Sequence, residues 1–111
     1  MAVYANLTVD QGSDFSVEIT VANDVSSIDI TNYTYRGQIR KTYSSSTAVD
    51  FYTSTADPAN GKLDISLSAA QTSAMKAGRY VYDVEIVDSI GNVTRVVEGQ
   101  LEVTPRVTRS S

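Results

Sequence analysis

Five carboxylates, Asp50, Asp57, Asp64, Asp83 and Asp88, are the side chains of this 111-residue chain that could do chemistry if folding brought them together. Gathered in one place they would offer calcium the oxygen ligands it takes. Two of them facing across a cleft would make the acid and base of a glycosidase. The spacing supports neither arrangement. The alternating acidic run of a calcium loop is missing, and small domains without long loops rarely form such a cleft. Solvated loop and strand carboxylates are the simpler account, so no metal and no cofactor is expected. The chain has no histidine, which removes the commonest general base, every Ser–His triad and the usual zinc sites. It has no cysteine, hence no disulfide and no thiolate chemistry. The glycines stand singly, so no phosphate loop is present. The expectation is a protein that is not an enzyme.

Tyrosine is the second chemical theme, with seven in the chain. Exposed tyrosines would stack on sugars, whereas tyrosines on an alternating pattern belong to a core. Tyr33, Tyr35, Tyr80 and Tyr82 follow the second pattern; Tyr4, Tyr43 and Tyr52 are the candidates for exposure. The segment Gly78-Arg79-Tyr80-Val81-Tyr82 reads as a structural tyrosine corner. In it Tyr80 bonds a nearby backbone group, and Tyr82 fills the place of a disulfide cysteine in an antibody domain.

These residues must be positioned by strands, because period-two alternation dominates. Val3 to Val9 alternates first, and Asp10 to Asp14 forms a turn. Phe15, Val17, Ile19 and Val21 then alternate with polar residues. A loop containing Asn23 and Asp24 follows, with Ile28 and Ile30 placed to plug one end of the core. Tyr33 to Arg40 is the third strand. Val49, Phe51 and Thr53 mark a short, weaker fourth. Asp57-Pro58-Ala59-Asn60-Gly61 is a turn, since proline presets φ and Asn-Gly accepts positive φ. Leu63 to Leu67 resumes the alternation. Ser68 and Gln71 form a capping box for at most two turns of helix, with Gly78 as the stop. Tyr80 to Ile86 and Val93 to Val103 make a hairpin around Gly91, and Pro105 ends it. About seven strands in this order predict an all-β, immunoglobulin-like antiparallel sandwich with one short helix before the sixth strand. It is one domain, residues 1–104, with a polar tail over 105–111; an up-and-down barrel is the alternative.

Several phrases carry a resemblance by their order: Gln11-Gly12-Ser13-Asp14-Phe15, Ile30-Thr31-Asn32-Tyr33, Gly61-Lys62-Leu63, the run Ala77 to Glu85, the turn at Gly91, Val97-Glu98-Gly99 and Val103-Thr104-Pro105. Over residues 3–108 the chain resembles small phage virion proteins related to the N-terminal domain of phage baseplate upper proteins. The resemblance implies an immunoglobulin-like sandwich that docks onto other virion proteins in a tail, baseplate or fibre-attachment region. It also implies multiple copies or a homo-oligomer in the assembled particle. Baseplate upper proteins continue into a C-terminal extension, whereas this sequence stops at Ser111. A decorating, plugging or bridging role is therefore expected in place of fibre linkage. Capsid decoration and a surface adhesion or carbohydrate-binding role are the alternatives.

The rest of the composition agrees with a folded, non-exported module. Apolar residues make up 41 % and charged residues 20 %, which reads as globular. A net charge of −4 argues against nucleic acid, despite Arg36, Arg40 and Lys41 lying close together. No basic leader precedes the first strand and no apolar run would span a bilayer, so export by a cleaved signal is not expected; assembly in the host cytoplasm and residence in the virion are what the resemblance implies. If the third, sixth and seventh strands share a sheet, their outward residues form a candidate interface of Arg36, Arg40, Val81, Asp83, Glu85, Val96 and Glu98. Glu102 and Val87 fall on the same face. The first and fourth strands are the expected sheet edges, and neither carries a proline or inward lysine to block strand addition.

Overall fold

The alternating segments fold as two facing sheets. The computed structural model describes residues 3–22 and 27–107; Asn23 and Asp24 and the tail from 108 onward lie outside the described residues. The strands are β1 (Val3–Tyr4), β2 (Leu7–Asp10), β3 (Phe15–Thr20), β4 (Thr34–Arg40), β5 (Val49–Asp50), β6 (Tyr52–Asp57), β7 (Lys62–Leu67), β8 (Gly78–Val87) and β9 (Val93–Thr104). One short α-helix, α1 (Ala69–Ala74), joins β7 to β8, and a 3-10 turn, Pro58–Asn60, joins β6 to β7 among the described residues. One sheet runs β1-β9-β8-β4-β5, with β2 also on β9; the other runs β3-β7-β6. This division is that of an immunoglobulin-like β-sandwich. All pairings are antiparallel except those of β1 and β2, which run parallel to β9.

The core lies where the alternating residues of the two sheets meet. Val9, Ile39, Val84, Leu101 and Val103 from the larger sheet face Leu63, Ile65 and Leu67 from the smaller, all buried. Each fully buried aliphatic side chain contributes about 1.5–3 kcal/mol relative to exposure. Phe51 meets Tyr82 edge-on, their rings 6.1 Å apart. Ile30 closes one end: it is fully buried, its N–H donates to the Pro58 carbonyl, and its own carbonyl accepts from the Tyr35 hydroxyl.

Local chemistry sets the helix. The Ser68 hydroxyl accepts from the Gln71 N–H at 3.2 Å, and the Gln71 side chain accepts from the Ser68 N–H at 2.9 Å. This reciprocal cap satisfies two donors that a helix start leaves free, and is worth about 1 kcal/mol. Buried Thr72 then ties the helix to the first turn. Its hydroxyl accepts from the Gly12 N–H at 3.0 Å and donates to the Ser13 carbonyl at 2.8 Å. Asp14 accepts from the Ala69 N–H at 2.7 Å.

Four sequence-level expectations are corrected. The first strand is two short pieces, because Ala5 and Asn6 leave the regular ladder between β1 and β2. The fourth strand divides at Phe51: β5 pairs with β4, and β6 crosses to pair with β7. Gly78 does not stop the helix. The turn ends at Ala74, Met75 is extended with ψ 135°, and Gly78 opens β8. Last, β9 carries an extra residue where the register shifts between Val84 and Glu85. Such a bulge reverses the side-chain parity of everything beyond it.

Candidate interface on the outer sheet face

The outer face of β4, β8 and β9 gathers the charged rows into one surface. Register places Arg36 beside Glu85, Gln38 beside Asp83 and Arg40 beside Val81. On the other flank Asp83 stands beside Glu98 and Glu85 beside Arg95. Arg36 pairs with Glu85 at 2.8 Å; Arg95 reaches Asp83 at 3.4 Å and Glu98 at 3.5 Å. Arg40 donates to Gln38 and to the Ser45 carbonyl, which anchors the loop carrying Tyr43 over this surface. Between the loop and the sheet is a hollow of about 350 Å³, lined by Arg40, Tyr43, Val81, Asp83, Arg95 and Glu98 among others. Exposed ion pairs of this kind each contribute about 1 kcal/mol or less.

Val96 does not belong to this face. It is the extra residue of the bulge, turned inward and only 8 % exposed, next to Val97, which is also buried. Arg95 takes the outward place beside Glu85. Parity counted back from Leu101 gives the right face for Val97 and Gly99 and the wrong one beyond. The pair of adjacent valines, Val96-Val97, is the one signal in the sequence that the alternation breaks there. Val81 and Val87 remain partly exposed on the outer surface, and Glu102 stands beside Arg79.

Asp83 sits in an uncomfortable place. Burial, followed by the neighbouring Glu85 and Glu98, raises its pKa above the ordinary carboxylate value against the opposing pull of Arg95 and Arg40. The folded state therefore holds the Asp83 proton more tightly than the unfolded chain. Stability falls as pH rises from the ordinary value through the raised one. We expect Asp83→Asn to melt like the parent in acid and above it at neutral pH, the gap opening across that window. Melting temperatures of the two proteins from about pH 3 to 7 test this; a gap independent of pH would refute it.

The tyrosine corner is structural in its contacts. The Tyr80 hydroxyl donates to the Lys76 carbonyl at 2.7 Å, four residues upstream, and Lys41 lies 4.7 Å over its ring. Tyr82 is buried, and its hydroxyl donates to the Ala5 carbonyl at 2.6 Å. Burial, helped by Tyr4, pushes its pKa up to about 12. The neutral hydroxyl thus stabilises the fold below the ordinary tyrosine value near 10, and that contribution is lost as pH climbs toward 12. Tyr82→Phe is expected to lose about 1–2 kcal/mol at neutral pH, because the Ala5 carbonyl is left without its donor. It should also lose part of the alkaline decline, which pH-dependent denaturant melts would show. Tyr4, Tyr43 and Tyr52 are exposed, at 63 %, 79 % and 64 %. They are separated: Tyr43 lines the charged hollow and Tyr52 a different groove beside α1.

Among the described residues, no three histidine, cysteine, aspartate or glutamate side chains converge as a metal-ligand set. Asp88 is engaged locally, accepting from the Ile90 and Asn92 N–H groups in the β8–β9 turn. No described helix is long and apolar enough to cross a membrane.

The two sheets place the chain in the class of immunoglobulin-like β-sandwiches. Solved structures share this architecture, among them CopC from Methylosinus trichosporium OB3b. That match has 17 % identity and a TM-score of 0.52, and covers 95 % of this chain and 89 % of the other. At such identity the likeness is one of fold. No family model and no curated protein matches the chain.

Proposed function

We propose that this chain is a non-enzymatic structural or assembly module of a bacteriophage particle, docking onto other virion proteins in the tail or baseplate region. The observation that carries this reading is the β4–β8–β9 face. It holds charges of both signs in fixed register, partly exposed valines between them, and an open hollow bordered by Tyr43. Asp83 adds to the argument. Its carboxylate is half-exposed among Arg95, Glu85 and Glu98, so a docking partner would meet it together with its ion-pair network. The order of turn and strand phrases that resembles small phage virion proteins supplies the biological setting, and fold-level analogy alone supplies no more. Many copies on a symmetric scaffold would make modest contacts collectively firm.

The test is electron cryo-microscopy of purified phage particles with this chain located in the density. Symmetric copies seated by the β4–β8–β9 face on a tail or baseplate are the expected result. Copies on the capsid would favour a decorating role instead, and absence from every particle would overturn the proposal.

A further inference from the structure

The four sheet edges are not alike, and the difference points to an interface unconnected with the charged face. β1 and β5 are two residues each, and β2 is set off from β1 by the irregular Ala5-Asn6 step. β6 loses register with β7 between Ser54 and Asp57. Short strands and irregularities are how folded proteins keep an edge from pairing with another chain. β3 has no such guard. Among the described residues it ends its sheet, and it is regular over the six residues Phe15–Thr20 and contains neither proline nor lysine.

Its exposed main-chain groups can be assigned. The Val21 N–H donates to the Gly61 carbonyl at 2.8 Å, so the backbone groups of odd-numbered residues face β7. Those of Ser16 and Glu18 consequently face the open edge. The inward side chains Phe15, Val17 and Ile19 are only half-buried. Beside them a hollow of about 240 Å³ lies between β3 and the N-terminal strands, lined by Leu7, Val17, Ile19 and Val96 among others. A strand added to β3 would lay its own inward residues over this hollow.

We propose that the added strand is β3 of a second copy, paired antiparallel about a two-fold axis at Val17. In that register Val17 meets its own counterpart, Phe15 meets Ile19, and Ser16 exchanges main-chain hydrogen bonds with Glu18. Every apolar residue then faces an apolar one. Centring the axis on Glu18 would oppose two glutamates, and a slip by one residue would set apolar against polar positions. The strand is therefore complementary to itself in one register and discouraged from the neighbouring ones. The resulting contact is isologous and closes as a dimer.

Sedimentation equilibrium of the purified chain tests this, together with Glu18→Pro. That substitution removes an N–H pointing at the second copy while sparing the ladder to β7. The parent is expected to dimerise with a dissociation constant between about 10 μM and 1 mM. Glu18→Pro is expected to stay monomeric, and Glu18→Gln to dimerise like the parent. Amide exchange at high concentration provides a check independent of whether the proline variant folds. The Ser16 and Glu18 amides should be protected in the concentrated parent and unprotected on dilution. A monomeric parent at about 1 mM would overturn the proposal and leave the edge to a strand of another protein or to solvent. A dimer in which those two amides exchange freely would also overturn it, since the contact would then lie elsewhere. Neither result bears on whether the β4–β8–β9 face docks in a virion.

Discussion

Gly99→Ala is expected to loosen the N-terminal strands from the sheet and lower stability by about 3 kcal/mol, a fall in melting temperature of about 10 °C or more. A methyl group at Gly99 would lie 2.0 Å from the Ala5 carbonyl oxygen and 2.8 Å from its carbon. Both atoms are backbone, so no side chain can turn aside. Gly99 has ordinary strand geometry, so the penalty comes wholly from the collision. The same Ala5 residue is held twice more, by its own N–H on the Glu98 carbonyl at 2.9 Å and by Tyr82 on its carbonyl. Displacing it strips these bonds and begins to uncover Leu7 and the fully buried Val9. A melt paired with amide exchange at Ala5 checks the mechanism. Expected is a lower melting temperature with selective loss of protection at Ala5 and at Gln100, whose N–H donates to Asn6. An unchanged melt would mean that the N-terminal strands slide freely past the new methyl.

Gly99 also marks how far the sequence could be read. A lone glycine inside an alternating strand signals close approach of another backbone, but it does not say which one. The partner, Ala5 in the break between β1 and β2 at the far end of the sequence, is set by register across the sheet and leaves no local trace. Local features were legible for the same reason that this contact was not. The Ser68 and Gln71 cap, the Asn60-Gly61 turn and the inward rows of β4 and β8 all depend on neighbours a few residues apart. The candidate interface divides along the same line. Arg36, Arg40, Val81, Asp83, Glu85 and Glu98 follow from uninterrupted alternation, and they do share one face. Val96 required knowing that β9 makes room for a residue that β8 lacks. The open edge at β3 required knowing which strands fill the smaller sheet. Phe51, where the chain changes sheets, looks in sequence like the middle of an ordinary strand.

Gly61→Ala should be at least as damaging as the change at Gly99, at about 3 kcal/mol, because two penalties coincide. Gly61 has φ +73°, which costs a residue with a side chain about 1–2 kcal/mol. Its added methyl would also lie 2.5 Å from the Val21 carbonyl oxygen and 2.7 Å from that of Ile28. Three segments cross at this point: the end of β3, the residues before Ile30, and the turn into β7. Gly61 bonds two of them, its N–H donating to Pro58 at 3.0 Å and its carbonyl accepting from Val21 at 2.8 Å. Gly61→Asn separates the causes, since asparagine tolerates positive φ better than alanine does but carries the same Cβ. If the collision dominates, as the two carbonyl distances require, the asparagine variant melts within a few degrees of the alanine one. Recovery to near the parent would instead make φ the whole effect and show that the crossing relaxes. The crossing also buries Ile30 and fixes where β3 ends, so its disruption should spread into the edge proposed to pair with a second copy. Loss of dimer in both variants, with Gly99→Ala retaining it, would tie that edge to this end of the sandwich and free it from the N-terminal strands.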